Sequence, residues 1–169
     1  MAYTSINPYT GELEKEFDYA TDAEIEEVLD KAQKAFKSWS KTTFDERAEY
    51  MRRAANLFRE RAETIGKLVT NEMGLPVSSS TFMAGEMVAE MLEYYADNAE
   101  TFLADEPLEL RPDHGTGKLV YDPLGIVFAI EPWNAVVYQA VRPACGNLMA
   151  GNVGILKHAS IVPPVRRSH

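Results

Sequence analysis

The sequence holds a single cysteine, Cys145, among its 169 residues, so no disulfide can form within the chain. A reducing compartment, and therefore a cytoplasmic protein, is the expectation. No apolar run approaches the ~20 residues of a membrane-spanning helix. The N-terminus is polar, without the apolar core of a signal peptide. There is no GxSxG and no GxGxxG. His114, His158 and His169 lack metal-ligand spacing, so no metal is expected. "HGTGK" resembles part of a phosphate-binding loop. Pro112 holds the place of its first glycine, however, and Leu119 replaces its Ser/Thr, so a hairpin turn is expected there.

Acidic residues are absent after Glu131. All 26 Asp and Glu, and 13 of the 17 Lys and Arg, lie within residues 1–131, which leaves that part at −13. The remaining cations, Arg142, Lys157, Arg166 and Arg167, give the last 38 residues +4. The net charge of −9 argues against nucleic-acid and anionic-membrane partners, which need a positive face. Buried strands without acids would explain the asymmetry. An end of the chain that faces an anionic ligand would explain it too.

What is present is enough for a core, with 46% hydrophobic residues. Residues 1–20 read as an irregular or short-strand lead-in with a turn at "NPYTG". Thr21 with Glu24 and Thr43 with Glu46 are spaced as capping boxes, each opening a helix. The apolar spacing after Thr43 runs to Phe58, and a further helical stretch ends near Met73. There Gly74 offers a left-handed cap and Pro76 blocks continuation. One long amphipathic helix is expected from about Ser79 to Leu103, its core face a stripe of Met83, Met87, Met91 and Tyr94 beside Val88, Leu92 and Tyr95.

The character changes at Pro107. "LEL" and "KLVYD" are short strand candidates on either side of "PDHGTG". "GIVFAI" (125–130) is an unbroken apolar run, as expected of a strand covered on both faces. A helix over roughly 136–150 and a strand "VGILK" (153–157) complete a βαβ unit with parallel strands. Ligands bind beyond the carboxyl ends of strands in such sheets. "EPWN" and "KHAS" fall at those two ends, on one edge. Asn134 offers an amide donor for an oxyanion, or caps the next helix. Lys157 could bond a ribose or phosphate, or simply lead its strand into solvent.

In order, "INPYTGE", "RAEYMRRAANLFRERAETI", "NEMGLP", "PLGIVFAIEPWN", Arg142 and "LMAGNVGILKHAS" resemble the cofactor-binding start of the aldehyde dehydrogenase superfamily. The "KHAS" variant is most similar to its bacterial succinate-semialdehyde branch. The resemblance extends to about Val162. It implies an α/β fold: a helical N-terminal part, then the first βαβ unit of a Rossmann-like parallel sheet, an incomplete aldehyde dehydrogenase fold. It divides the chain into 1–106, helical; 107–123, strands of the oligomerisation sheet; 124–162, the βαβ unit; and 163–169, an atypical tail.

The resemblance also implies roles. Asn134 is the expected oxyanion amide. Ile130, Glu131, Pro132 and Trp133 line a nicotinamide cofactor, and Lys157 binds its adenosine ribose. Ser160 stands where NAD-preferring members often carry a glutamate, so NADP is tolerated as well as NAD. Arg142 holds the carboxylate of succinate semialdehyde, or is a surface residue of its helix. A homo-oligomer is expected of the full-length protein. Cys145 does not match the family's nucleophile, and neither that cysteine nor the family's general-base glutamate has a counterpart here. The resemblance implies the N-terminal cofactor-binding portion of an NAD(P)-dependent aldehyde dehydrogenase that oxidises succinate semialdehyde to succinate when full-length, with this chain alone expected to be inactive. The alternative is a truncated non-catalytic chain that binds cofactor weakly or associates with family subunits. Ala135 and Val136 replace the family's usual Phe-Pro, and Pro143 falls inside the expected helix, where it removes a hydrogen bond at a cost of about 3 kcal/mol.

Overall fold

The computed structural model describes residues 3–111, 113 and 115–161. "NPYTG" closes a hairpin in which β1 (Tyr3–Ile6) runs antiparallel to β2 (Leu13–Phe17). Asn7 builds the turn. Its Oδ1 accepts from the N–H groups of Tyr9 at 2.9 Å and Thr10 at 3.2 Å, and Gly11 takes φ 73.

Both capping boxes are formed. Ahead of α1 (Asp22–Trp39), Thr21 Oγ1 accepts from the Glu24 N–H at 3.2 Å and Glu24 Oε2 accepts from the Thr21 N–H at 2.8 Å. Thr43 and Glu46 repeat these bonds before α2 (Phe44–Met73). The sequence suggested two stretches here, but α2 is one helix of 30 residues. It ends at Gly74, φ 70, whose N–H reaches the Thr70 carbonyl at 2.8 Å.

The expected single helix over 79–103 is instead two, α3 (Val77–Ala84) and α4 (Glu86–Phe102), parted at Gly85. The break lies where α3 and α4 approach α2 closely. A Cβ on Gly85 would lie 2.5 Å from Ala62 Cβ, and one on Gly66 would lie 2.7 Å from the Thr81 backbone. These glycines let α3 and the start of α4 lie directly on α2. The core therefore uses smaller residues than the methionine stripe suggested. Val88, Ala89, Leu92, Ala96 and Ala99 are buried; Met83, Met87 and Met91 are half-buried and Tyr94 is exposed.

The strands that follow are β3 (Glu106–Leu108) and β4 (Gly117–Leu119), antiparallel. Lys118 pairs with Asp105, and the Tyr121 hydroxyl bonds Glu106 across the ribbon, which raises the Tyr121 pKa. Pro112 and His114 of the turn lie outside the described residues, as do Val162, His169 and the rest of the tail.

The βαβ unit is present as β5 (Ile126–Ile130), α5 (Val136–Met149) and β6 (Val153–Lys157). Its strands are parallel and pair Ile126 with Val153 through to Ile130 with Lys157. α5 docks on the α2–α4 core through Val137, Cys145 and Met149. Pro143 does not break it: α5 continues past the proline, and the Asn147 amide donates to the Pro143 carbonyl at 2.8 Å. Trp39 ties α1 to the end of α5 by donating Nε1–H to the Leu148 carbonyl at 2.9 Å. One expectation fails. β5 is not covered on both faces, since Phe128 is 59% and Ile130 66% exposed. Among the described residues the sheet has two strands, and the helices against it leave part of it open.

Candidate functional site

The parallel register decides where the unusual strand ends meet. Ile130, the last residue of β5, pairs with Lys157, the last of β6. One residue on, the Glu131 N–H donates to the Lys157 carbonyl at 3.0 Å. "EPWN" and "KHAS" thus leave the sheet side by side. Pro132, Trp133, Asn134, Lys157 and Ser160 are all exposed there, and Glu131 is half-buried.

The residue that opens α5 is Ala135, not Asn134. Ala135 sits in the left-handed region at φ 49, ψ 47, and no side chain caps the helix. It is the one described non-glycine residue at positive φ. Such a conformation costs roughly 1–2 kcal/mol for an L-residue, and strain of this kind clusters at functional sites. The capping alternative for Asn134 is thereby removed. Its amide makes no hydrogen bond among the described residues, and the chain presents it on the turn before the helix. The first N–H groups of α5 likewise have no side-chain acceptor, so the positive end of the helix dipole lies at this same edge.

Lys157 Nζ donates to the neighbouring His158 carbonyl at 3.1 Å, an interaction compatible with reaching outward. Arg142, on α5, is exposed and makes no ion pair among the described residues. Behind the turn, Val69, Ser80, Met83, Ala84, Ala135 and Tyr138 line a small apolar cleft where α2 and α3 meet the start of α5. Two features escaped the sequence reading. Nothing in "NAV" signals a left-handed alanine. Asn152, at the opposite end of the sheet, also has a buried role: its Oδ1 accepts the Gly125 N–H at 2.8 Å.

A profile of the aldehyde dehydrogenase family matches residues 1–167. The chain belongs to the aldehyde dehydrogenase family. It is 43% identical over 164 residues to the succinate-semialdehyde dehydrogenase [NADP(+)] of Mycobacterium leprae, covering 96% of this chain and 36% of that protein. The corresponding enzyme of Deinococcus radiodurans is 38% identical, covering 95% of this chain and 33% of the relative. Among solved structures, the succinic semialdehyde dehydrogenase of Streptococcus pyogenes in complex with NADP+ superposes with a TM-score of 0.91 at 34% identity, over 99% of this chain and 36% of that one. The chain therefore spans about a third of the length of the curated relatives it matches.

The one cysteine of this aldehyde dehydrogenase chain is fully enclosed within α5, and burial pushes its thiol up to about 12. A thiolate forms there only in strong base, so Cys145 is a packing residue. A thiol reagent at pH 8 should leave the native chain unlabelled and label it stoichiometrically in denaturant; prompt labelling of the folded chain would contradict this placement. Among the described residues no group of three or more His, Cys, Asp or Glu could hold a metal ion, and no helix is long and apolar enough to cross a membrane.

Proposed function

We propose that residues 130–134, 157 and 160 form the dinucleotide-binding edge of an NAD(P)-dependent aldehyde dehydrogenase that oxidises succinate semialdehyde to succinate. The observation that carries this reading is the register that sets Ile130 and Glu131 against Lys157, beside the uncapped start of α5. The residues present fit such a cofactor. Helix N–H donors without a side-chain acceptor favour a phosphate, Lys157 adds a cation, and no acid stands anywhere in residues 132–161. Ser160 is small and neutral, which leaves room for a ribose phosphate and repels no charge. The relatives named for NADP are in keeping with such tolerance of NADP beside NAD.

When bound, the dinucleotide supplies the electron acceptor of aldehyde oxidation. The chain's own residues bind and orient. Ile130, Pro132 and Trp133 offer apolar surface to the cofactor, and Glu131 is part of the same turn. Lys157 and Ser160 meet the ribose and its substituents. Asn134 donates its amide to the aldehyde oxygen as negative charge develops there, a contribution that preorganised donors make strongly. Arg142 holds the substrate carboxylate, for which a planar guanidinium is suited.

The elements support a division into a helical part to residue 106, strands over 107–123 and the βαβ unit from 124. A cytoplasmic setting fits a free, buried thiol. A second reading concerns association. Leu108 and Leu119 on the β3–β4 ribbon, with Leu110, Val120 and Tyr121 just beyond its strands, are exposed, and the ribbon's edges, unpaired among the described residues, are of the kind that joins subunits in a homo-oligomer.

The test is titration of the chain with NADP and NAD, followed by tryptophan fluorescence, with sizing in parallel. Saturable quenching is expected, weakened about tenfold by Lys157→Ala, which is roughly 1.4 kcal/mol of binding. Absence of saturation with both dinucleotides would sink the reading. The same sample should not reduce NADP when given succinate semialdehyde, because Cys145 cannot act as the nucleophile; turnover would refute that assignment.

A further inference from the structure

The far end of the βαβ unit holds a buried polar clasp that the chemistry of the ligand edge does not use. Asn152 precedes β6 and is 4% exposed. Its Oδ1 accepts the Gly125 N–H at 2.8 Å, just ahead of β5. Gly125 returns a bond, its carbonyl accepting the Val153 N–H at 3.0 Å. The Asn152 backbone N–H donates to the Asn147 carbonyl at 2.9 Å, and its Nδ2 approaches Asn147 Oδ1 at 3.4 Å. One side chain thus joins the start of β5, the start of β6 and the end of α5.

This clasp adds to what the packing of α1 and α5 and the burial of Val153 give the sheet. Two five-residue parallel strands have few ladder bonds. Phe128, Ile130 and Leu156 are exposed, so burial does not penalise a slip at those positions. Gly154 adds no side chain at all. A slip of one residue moves a strand by about 3.3 Å. It would take Lys157 away from Ile130 and break the Glu131-to-Lys157 bond that closes the ligand edge. Sliding either strand would also strip Gly125 of its acceptor inside the protein, where an unmet N–H is costly.

We propose that Asn152 is a positioning residue: its bond to the Gly125 N–H pins the β5–β6 register and so sets Ile130–Asn134 beside Lys157–Ser160, at the opposite end of the sheet. The consequence for dinucleotide binding rests on the function proposed above; the register itself does not.

Native-state amide exchange of the whole chain tests it, with NADP titration as a second readout. In Asn152→Ala, the Glu131 amide is expected to exchange at least tenfold faster, together with Gly125, while the amides of α2 keep their protection. Asn152→Asp retains an acceptor for the Gly125 N–H and should restore Glu131 protection to within about threefold of the parent, a rescue that mere loss of packing would not show. Unchanged Glu131 exchange in Asn152→Ala overturns the proposal. So does a loss in Asn152→Asp equal to that in Asn152→Ala, which also decides the matter if the alanine variant is destabilised throughout. If the parent chain fails to bind NADP while the exchange pattern appears, the dinucleotide reading falls and the register role stands.

Discussion

Asn134→Ala should lower kcat by about 10²–10³, with NADP affinity within twofold, in a family enzyme whose matched third is replaced by residues 1–161 of this chain. The expectation follows from the way the turn is built. Asn134 neither caps α5 nor bonds another described residue, so its removal takes away no structural hydrogen bond. The loss should fall on the step in which charge grows on the aldehyde oxygen, and an interaction made only in the transition state lowers kcat and kcat/KM together. Steady-state kinetics of the replaced enzyme and its Asn134→Ala form measure this. A change confined to KM would show that the amide serves binding alone, and no change would remove Asn134 from the chemistry.

Gly66→Ala should destabilise the chain on the order of 3 kcal/mol by forcing overpacking, which lowers Tm by roughly 10 °C for a domain of this size. The added methyl would sit 2.5 Å from Thr81 Oγ1 and 2.7 Å from the Thr81 N and Cα. A rotamer change could release the hydroxyl. The backbone atoms move only if α3 moves away from α2, and α3 contributes Ala84 to the buried cluster. Chemical denaturation reads the effect. A variant within 0.5 kcal/mol of the parent, the range of ordinary surface changes, would mean that the helices separate freely.

Local chemistry was the part of the fold legible in the sequence. Thr21–Glu24, Thr43–Glu46 and Gly74 act over three or four residues, and each forms the bond its spacing predicts. The βαβ unit was also legible, because β-branched runs and the intervening helical spacing are local patterns too. What the sequence concealed depends on contacts distant along the chain. The lack of space for a side chain at Gly85 is set by Ala62, and the small-residue core accompanies the close approach of α2 and α4. Exposure of Phe128 and Ile130 depends on what lies against the sheet, which an apolar run cannot reveal. The edge itself was predicted from strand ends alone, and its residues emerge side by side. Their roles came from resemblance, since exposed Pro, Trp and Lys carry no geometric mark of their chemistry. Asn152 has no local signature of its role, because its partner Gly125 lies 27 residues away.

Ala135 bears on how firmly Asn134 is held. A glycine there would adopt φ 49 without strain, and would also visit many other conformations. Alanine meets a steric penalty in this one, yet has fewer alternatives to lose when the chain folds. The turn is therefore a sprung hinge. The strand end fixed to Lys157 on one side and the docked helix on the other keep it loaded, so the backbone that carries Asn134 is held although its side-chain amide is free of hydrogen bonds among the described residues.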